Sequence, residues 1–111
     1  MQDAYIVQSV RTPGCKQNRG LFNQTRPEEL VTFIMKSAVE RTKNLEFDHF
    51  DDVMIGCAFP EAEQGLNIGR VANQMAGFPE KVSGATVNRF CASGLEAIAL
   101  AYAREIGRAH V

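Results

Sequence analysis

The most informative segment of this chain is Thr86-Val87-Asn88-Arg89-Phe90-Cys91-Ala92-Ser93-Gly94-Leu95-Glu96-Ala97. β-prone residues lead into Cys91, and small residues, a glycine and an apolar helical stretch follow it, so the pattern predicts a cysteine between a strand and a helix. A helix start has unpaired N–H groups and a positive dipole. Such a position favours a thiolate and can hold an oxyanion, which suits acyl transfer. A core cysteine is an equally favoured alternative, because free cysteine is often buried.

Length and composition indicate one small globular domain. The 111 residues are 45% hydrophobic and 23% charged, with a net charge of -1. Because no block of like charges occurs, we expect neither nucleic acid nor a membrane surface as a partner. No apolar run reaches the length of a membrane span, and the amino terminus lacks the features of a signal peptide.

The cysteines indicate a reducing environment. Cys15, Cys57 and Cys91 are odd in number and have no C-x-x-C spacing. This argues against a disulfide framework. We therefore expect a cytoplasmic protein.

Strands and helices are predicted to alternate along the chain. The predicted strands cover residues 4–10, part of 51–58, and 85–90; the predicted helices cover 27–41, 67–77 and 95–103. This β-α-β-α-β-α order is typical of an open, mostly parallel sheet with crossover helices. The sequence therefore predicts an α/β fold.

The last predicted helix is apolar on nearly every side. Such a helix must be covered all round. Three strands and two outer helices would cover about two of its sides, so the others call for more sheet, another domain or a partner chain. The pattern indicates part of a larger protein.

Three segments resemble the amino-terminal part of a thiolase, an acetyl-CoA acyltransferase. The first combines Val10-Arg11-Thr12-Pro13-Gly14-Cys15-Lys16, Arg19-Gly20 and Arg26-Pro27-Glu28-Glu29-Leu30; the second combines Asp51-Asp52-Val53-Met54-Ile55-Gly56-Cys57 and Glu63-Gln64-Gly65-Leu66-Asn67-Ile68-Gly69-Arg70; the third runs from Thr86 to Leu95. They stand in the family's order and are most similar to the degradative 3-ketoacyl-CoA thiolases of fatty acid β-oxidation. The resemblance implies an incomplete thiolase-like amino-terminal half-domain with a mostly parallel sheet and crossover helices.

The resemblance implies that Cys91 is the nucleophile and becomes S-acylated. It would attack an acyl-CoA thioester, or the 3-keto carbonyl of a 3-ketoacyl-CoA, with its own N–H as one oxyanion donor. Coenzyme A would be a substrate, and neither a metal nor a prosthetic group is implied. The strand before Cys91 would lie near the two-fold axis of a dimer, and the whole protein would be a homodimer or homotetramer.

The catalytic partners of such a cysteine are not evident in the sequence. The family carries an activating histidine and a second, acid/base cysteine in its carboxyl-terminal half, whereas the only histidines here are His49 and His110. His49 lies among acidic residues, where a solvated loop is the favoured interpretation, and no Gly-His-Pro or Cys-x-Gly segment follows Cys91. We therefore expect this chain alone to be inactive.

Other candidate residues have simpler interpretations. Cys57 falls in a predicted buried strand and Cys15 in a loop, and neither has a histidine or helix start nearby, so packing or incidental roles are favoured. Four basic residues could face the phosphates of coenzyme A: Arg11, Lys16, Arg19 and Arg70. Ion pairs at the surface or an interface are favoured for them, because the family's CoA-binding loops lie mostly later in the chain.

The final residues depart from the family after about Arg104. With suitable codons, residues 106–111 back-translate to ATC GGA AGA GCA CAC GTC, the start of a widely used short-read sequencing adapter. Our hypothesis is that residues 1–105 are a truncated thiolase amino-terminal domain and that residues 106–111 are a non-native tail from adapter read-through. His110 would then have no function.

Two classes of function remain. The chain is either the nucleophile-bearing piece of a thiolase or a non-catalytic fragment or short form that binds a partner through its apolar last helix. The thiolase would cleave 3-ketoacyl-CoA with CoA to acetyl-CoA and a shortened acyl-CoA, or run the reverse condensation. A ketoacyl-synthase relative is less favoured because of the amino-acid sequence of residues 88–94.

Overall fold

The computed structural model describes residues 3–108. Its helices and strands, in chain order, are α1 (Pro27–Glu40), β1 (Asp52–Gly56), α2 (Ile68–Ala76), β2 (Ser83–Val87) and α3 (Ser93–Arg108). β1 and β2 pair in parallel, with Asp52 opposite Ser83 and Gly56 opposite Val87. The connection between them carries α2, as parallel strands require. The α/β class and the parallel sheet are therefore confirmed.

Helix α1 begins where the sequence predicts. Arg26 is the residue before its first turn, and Pro27 occupies the first helical position, where a missing N–H costs nothing. The Arg26 backbone N–H donates to the Glu29 carboxylate at 3.1 Å. The Arg26 side chain pairs with Glu28 and, at 3.1 Å, with Glu63. The hydrogen bond from the Arg26 guanidinium holds the pKa of the Glu28 carboxyl below its ordinary value.

The predicted first strand over residues 4–10 is wrong. This segment forms no strand, and the sheet formed by the described residues contains only β1 and β2. Its residues Tyr5 and Ile6 are 79% and 80% exposed. β-branched and aromatic residues favour a strand, but a strand also needs a neighbour that completes its hydrogen bonds. Tyr5 and Ile6 instead line a groove beside α3.

The other elements are found with shifted bounds. β2 ends at Val87 and not at Phe90, because the chain turns at residues 88–92. α3 begins two residues before its predicted start and continues to Arg108. Residues 106–108 of the hypothetical tail thus belong to α3, whereas residues 109–111, which include His110, lie outside the described residues.

The core lies where α1, α2 and the sheet meet. Its buried side chains are Val39, Val53, Ala76, Phe78 and Val82. The rings of Phe47 and Phe50 pack edge-on against Phe78, with centroids 4.7 and 5.0 Å away. Such aromatic pairs add to the stabilisation from buried area.

Helix α3 is covered on only part of its surface. Ala97 is buried against the sheet, whereas Leu95, Ile98 and Tyr102 are 71%, 56% and 50% exposed. This agrees with the prediction that the described elements cannot cover every side of the helix. Among the helices of residues 3–108, none has the length and apolarity to cross a membrane.

A buried asparagine joins α2 to the start of β2. Asn73 is fully buried, and its side-chain amide donates to the carbonyl oxygens of Val82 at 3.0 Å and Ser83 at 3.1 Å. A buried carbonyl without a donor costs about 1–3 kcal/mol. Asn73 therefore stabilises the strand position that leads to Cys91.

We expect Asn73→Ala to lower the free energy of unfolding by about 2–3 kcal/mol, because it removes both hydrogen bonds and leaves a small cavity. Urea denaturation followed by circular dichroism measures the change. The matched control is the exposed Asn23→Ala, which we expect to change stability by less than about 0.5 kcal/mol. Equal effects of the two substitutions would contradict the role of Asn73.

Candidate active site

Cys91 lies in the turn between β2 and α3. A single 3-10 turn, Phe90–Ala92, joins the two elements, and α3 begins two residues after the cysteine. The predicted strand-to-helix junction is thus observed. The Cys91 side chain is exposed, so the alternative of a buried core cysteine does not hold in this structure.

The side chain of Ser93 closes this turn. Its hydroxyl accepts a hydrogen bond from the Arg89 N–H at 2.9 Å and donates one to the Phe90 carbonyl at 2.7 Å. The Asn88 side chain accepts a further bond from the Phe90 N–H at 2.9 Å. Phe90 has a φ of 45°, a left-handed conformation that is unfavourable for a bulky residue. The hydrogen bonds therefore hold a conformation that Phe90 does not favour.

The end of β1 supports the same turn. A Cβ at Gly56 would lie 2.5 Å from the carbonyl carbon and oxygen of Ser93 and 2.6 Å from the Gly94 nitrogen. Only glycine permits this approach. The next residue, Cys57, donates its N–H to the Val87 carbonyl at 2.9 Å. The carboxyl ends of both strands thus meet the amino-terminal end of α3 beside Cys91.

One ion pair spans the turn at the surface. The Arg89 guanidinium lies 3.5 Å from the Glu96 carboxylate in the first turn of α3. Arg89 is two-thirds exposed, and such a pair contributes little stability. It limits the direction of the Arg89 side chain more than it strengthens the fold.

His49 does not accompany Cys91. It is exposed, as predicted, and its Nδ1 accepts a hydrogen bond from the Glu46 N–H at 3.2 Å. His49 shares a cavity with Asp52 and Ser83, the first residues of the two strands. Cys91 follows the opposite end of β2, and a five-residue strand is about 13 Å long. His49 is therefore not placed to activate Cys91.

The other two cysteines lie outside the turn. Cys15 is exposed in a loop. Cys57 was predicted inside a buried strand, but it follows the last residue of β1 and is half-buried. The prediction placed the end of the strand too late, because the apolar run continues beyond the last paired residue.

The four basic candidates take part in none of the ion pairs formed by the described residues. Those ion pairs involve Arg26, Arg89 and Arg104. Arg70 instead donates to the backbone carbonyls of Val82 at 2.6 Å and Glu80 at 3.3 Å. Residues 3–108 contain no group of His, Cys, Asp and Glu side chains that could hold a metal ion.

Sequence reasoning missed Gly56 and Ser93. Gly56 had a detectable signal, since an isolated glycine in a strand often marks a close backbone approach. Ser93 had a weaker one, because a serine near a helix start often hydrogen-bonds the local backbone. Neither signal revealed that the two residues meet.

Comparison with known proteins identifies the family. Residues 4–108 match the family described as "Thiolase, N-terminal domain". The chain is 45% identical over 101 residues to a 3-ketoacyl-CoA thiolase of Bacillus subtilis, covering 91% of this chain and 26% of that protein. Its identity to a 3-ketoacyl-CoA thiolase of Serratia proteamaculans is 38% over 112 residues, covering 100% of this chain and 29% of that protein.

A solved structure agrees with this result. The Acat5 thiolase from Ascaris suum, in complex with coenzyme A, superimposes with a TM-score of 0.86 and 26% identity, covering 96% of this chain and 27% of that one. The chain belongs to the thiolase family. It spans about a quarter of the length of the relatives it matches.

The exposures of the three thiols predict their order of modification. In the native chain we expect N-ethylmaleimide to modify Cys15 and Cys91 several times faster than the half-buried Cys57, because access limits the reaction. Peptide mass spectrometry at successive times measures the three rates. In concentrated urea the difference should disappear. Protection of Cys91 in the native chain would contradict the exposed turn.

Proposed function

We propose that this chain is the nucleophile-bearing part of a 3-ketoacyl-CoA thiolase, with Cys91 as the residue that carries the acyl group. Membership of the thiolase family and the names of the relatives support the class of reaction. The observation that carries the proposal is the exposed thiol of Cys91 in the turn before α3. A helix start offers backbone donors to a developing oxyanion.

The proposed reaction cleaves a 3-ketoacyl-CoA in two steps. The Cys91 thiolate attacks the 3-keto carbon, and the Cys91 N–H donates to the oxygen that becomes negative. The bond between C2 and C3 breaks, its electron pair goes to the acetyl-CoA carbanion, and a proton from an acid completes acetyl-CoA. The thiolate of a second CoA then takes the acyl group and releases Cys91. The reverse sequence is the condensation.

The acid and base of this reaction are not supplied by the described residues. Within residues 3–108, no hydrogen bond or ion pair joins a histidine to the thiol of Cys15 or Cys57, and His49 lies at the other end of the sheet. We therefore propose that the chain alone accepts an acyl group slowly and does not turn over. A thiol at a helix start can react once without a base, but its regeneration needs proton transfer.

Coenzyme A is the proposed substrate, with no metal or prosthetic group. The Ascaris suum thiolase binds coenzyme A, and we extend that ligand to this chain by its membership of the family. A homodimer or homotetramer is the proposed assembly of the whole protein. Among the described residues β2 pairs only with β1, which leaves its other edge for association. The free state of all three cysteines supports a cytoplasmic location.

A non-catalytic fragment that binds a partner is the second candidate. The exposed apolar side chains of α3 favour it, since uncovered apolar patches mark interaction surfaces. A ketoacyl-synthase relative has no such support.

Incubation of the purified chain with acetyl-CoA tests the proposal. We expect intact-mass spectrometry to reveal a single added acetyl group, mapped to Cys91 and lost in Cys91→Ala. We expect Cys15→Ala to keep the modification. A second assay follows acetoacetyl-CoA cleavage with CoA, for which we expect no turnover. Acetylation of another residue, or no acetylation of Cys91 in the folded chain, would exclude Cys91 as the nucleophile. Turnover by this chain would contradict the proposal that the acid and base lie outside the described residues.

A further inference from the structure

We propose that Ser93 and Gly56 are positioning residues for Cys91. They hold the turn before α3 in one conformation, so that the Cys91 thiol and the Cys91 N–H can act on the same carbonyl group. This inference rests on the proposed nucleophilic role of Cys91. The position of the Cys91 thiol then depends on the Ser93 hydroxyl and on the close backbone contact at Gly56.

The Ser93 side chain restrains the segment that precedes the cysteine. Its hydroxyl accepts from the Arg89 N–H and donates to the Phe90 carbonyl, the two residues that precede Cys91. Ser93 is 4% exposed, so water has little access to replace the hydroxyl. Without it, the Arg89 N–H and the Phe90 carbonyl each lose a hydrogen bond. The left-handed Phe90 then loses one of the restraints on its unfavourable conformation, and the hydrogen bond to Asn88 remains.

Gly56 acts from a different element. It belongs to β1, and the Ser93 carbonyl group and the Gly94 nitrogen occupy the space that a side chain at position 56 would need. A methyl group there requires the first turn of α3 to move, because the neighbouring atoms are backbone. Ser93 and Gly56 therefore restrain one position from two different elements.

Two reactions of Cys91 should respond differently to these restraints. Alkylation by iodoacetamide is a displacement at carbon that needs only an accessible thiolate. Acylation by phenyl thioacetate proceeds through a tetrahedral oxyanion, with formation of the new thioester and departure of thiophenolate, and so also depends on aligned donors. The acylation rate divided by the alkylation rate thus measures alignment. A change in exposure alone would alter both rates together.

The experiment determines this ratio at Cys91 and divides it by the ratio at Cys15 in the same molecules. The variants are Ser93→Ala and Gly56→Ala. The matched controls are Ser9→Ala, at an exposed serine, and Gly107→Ala, where a Cβ meets no atom within 4 Å. Peptide mass spectrometry gives each rate, and thermal unfolding by circular dichroism confirms that each variant is folded.

We expect the normalised ratio to exceed one in the unaltered chain and to fall at least about tenfold in both variants, with both controls unchanged. A value near one in the unaltered chain would contradict the proposed function itself. A different result is a ratio that is high in the unaltered chain and changes by less than about twofold in a folded Ser93→Ala or Gly56→Ala chain. That result would overturn the positioning role of the substituted residue and would not contradict Cys91 as the nucleophile. If one variant does not fold, the other decides.

Discussion

The close approach between the end of β1 and the first turn of α3 is the constraint on which the site depends. Gly56 touches the backbone of Ser93 and Gly94, so α3 begins directly above the edge where the two parallel strands end. Ser93 then closes the turn around Cys91 through two hydrogen bonds. An exposed thiol in the turn that leads into a helix follows from this arrangement. The buried Asn73 also stabilises this arrangement, because its hydrogen bonds to Val82 and Ser83 fix the start of β2.

The surroundings of Cys91 and α3 are those of one part of a larger fold. The turn places the exposed thiol of Cys91, the proposed nucleophile, before the start of a helix, whereas the single described histidine lies at the opposite end of the sheet. Helix α3 exposes Leu95 and Ile98, and residues 4–10 form no strand. These three features agree with a chain that spans about a quarter of its thiolase relatives. We propose that additional segments of the whole protein cover α3 and bring the acid and base to Cys91.

Much of this could be predicted from the sequence. The start of α1 follows from Arg26-Pro27 and its acidic first turn, and the end of α2 follows from Gly77, which adopts the left-handed conformation that glycine favours. Residues 4–10 were assigned wrongly because a local pattern cannot show whether a partner strand exists. The restraints on Cys91 were missed for a similar reason. Gly56 and Ser93 are 37 residues apart in sequence, and only the folded chain brings them together.

The most direct test of the central claim is thiolysis by a chimera. Residues 4–104 of this chain would replace the matching segment of the Bacillus subtilis 3-ketoacyl-CoA thiolase, which supplies the remaining three quarters of a thiolase. The account predicts CoA-dependent cleavage of a 3-ketoacyl-CoA by the folded chimera, and a loss of at least about a thousandfold in kcat with Cys91→Ala, as expected for removal of a covalent nucleophile. A folded chimera whose activity survives Cys91→Ala would contradict it.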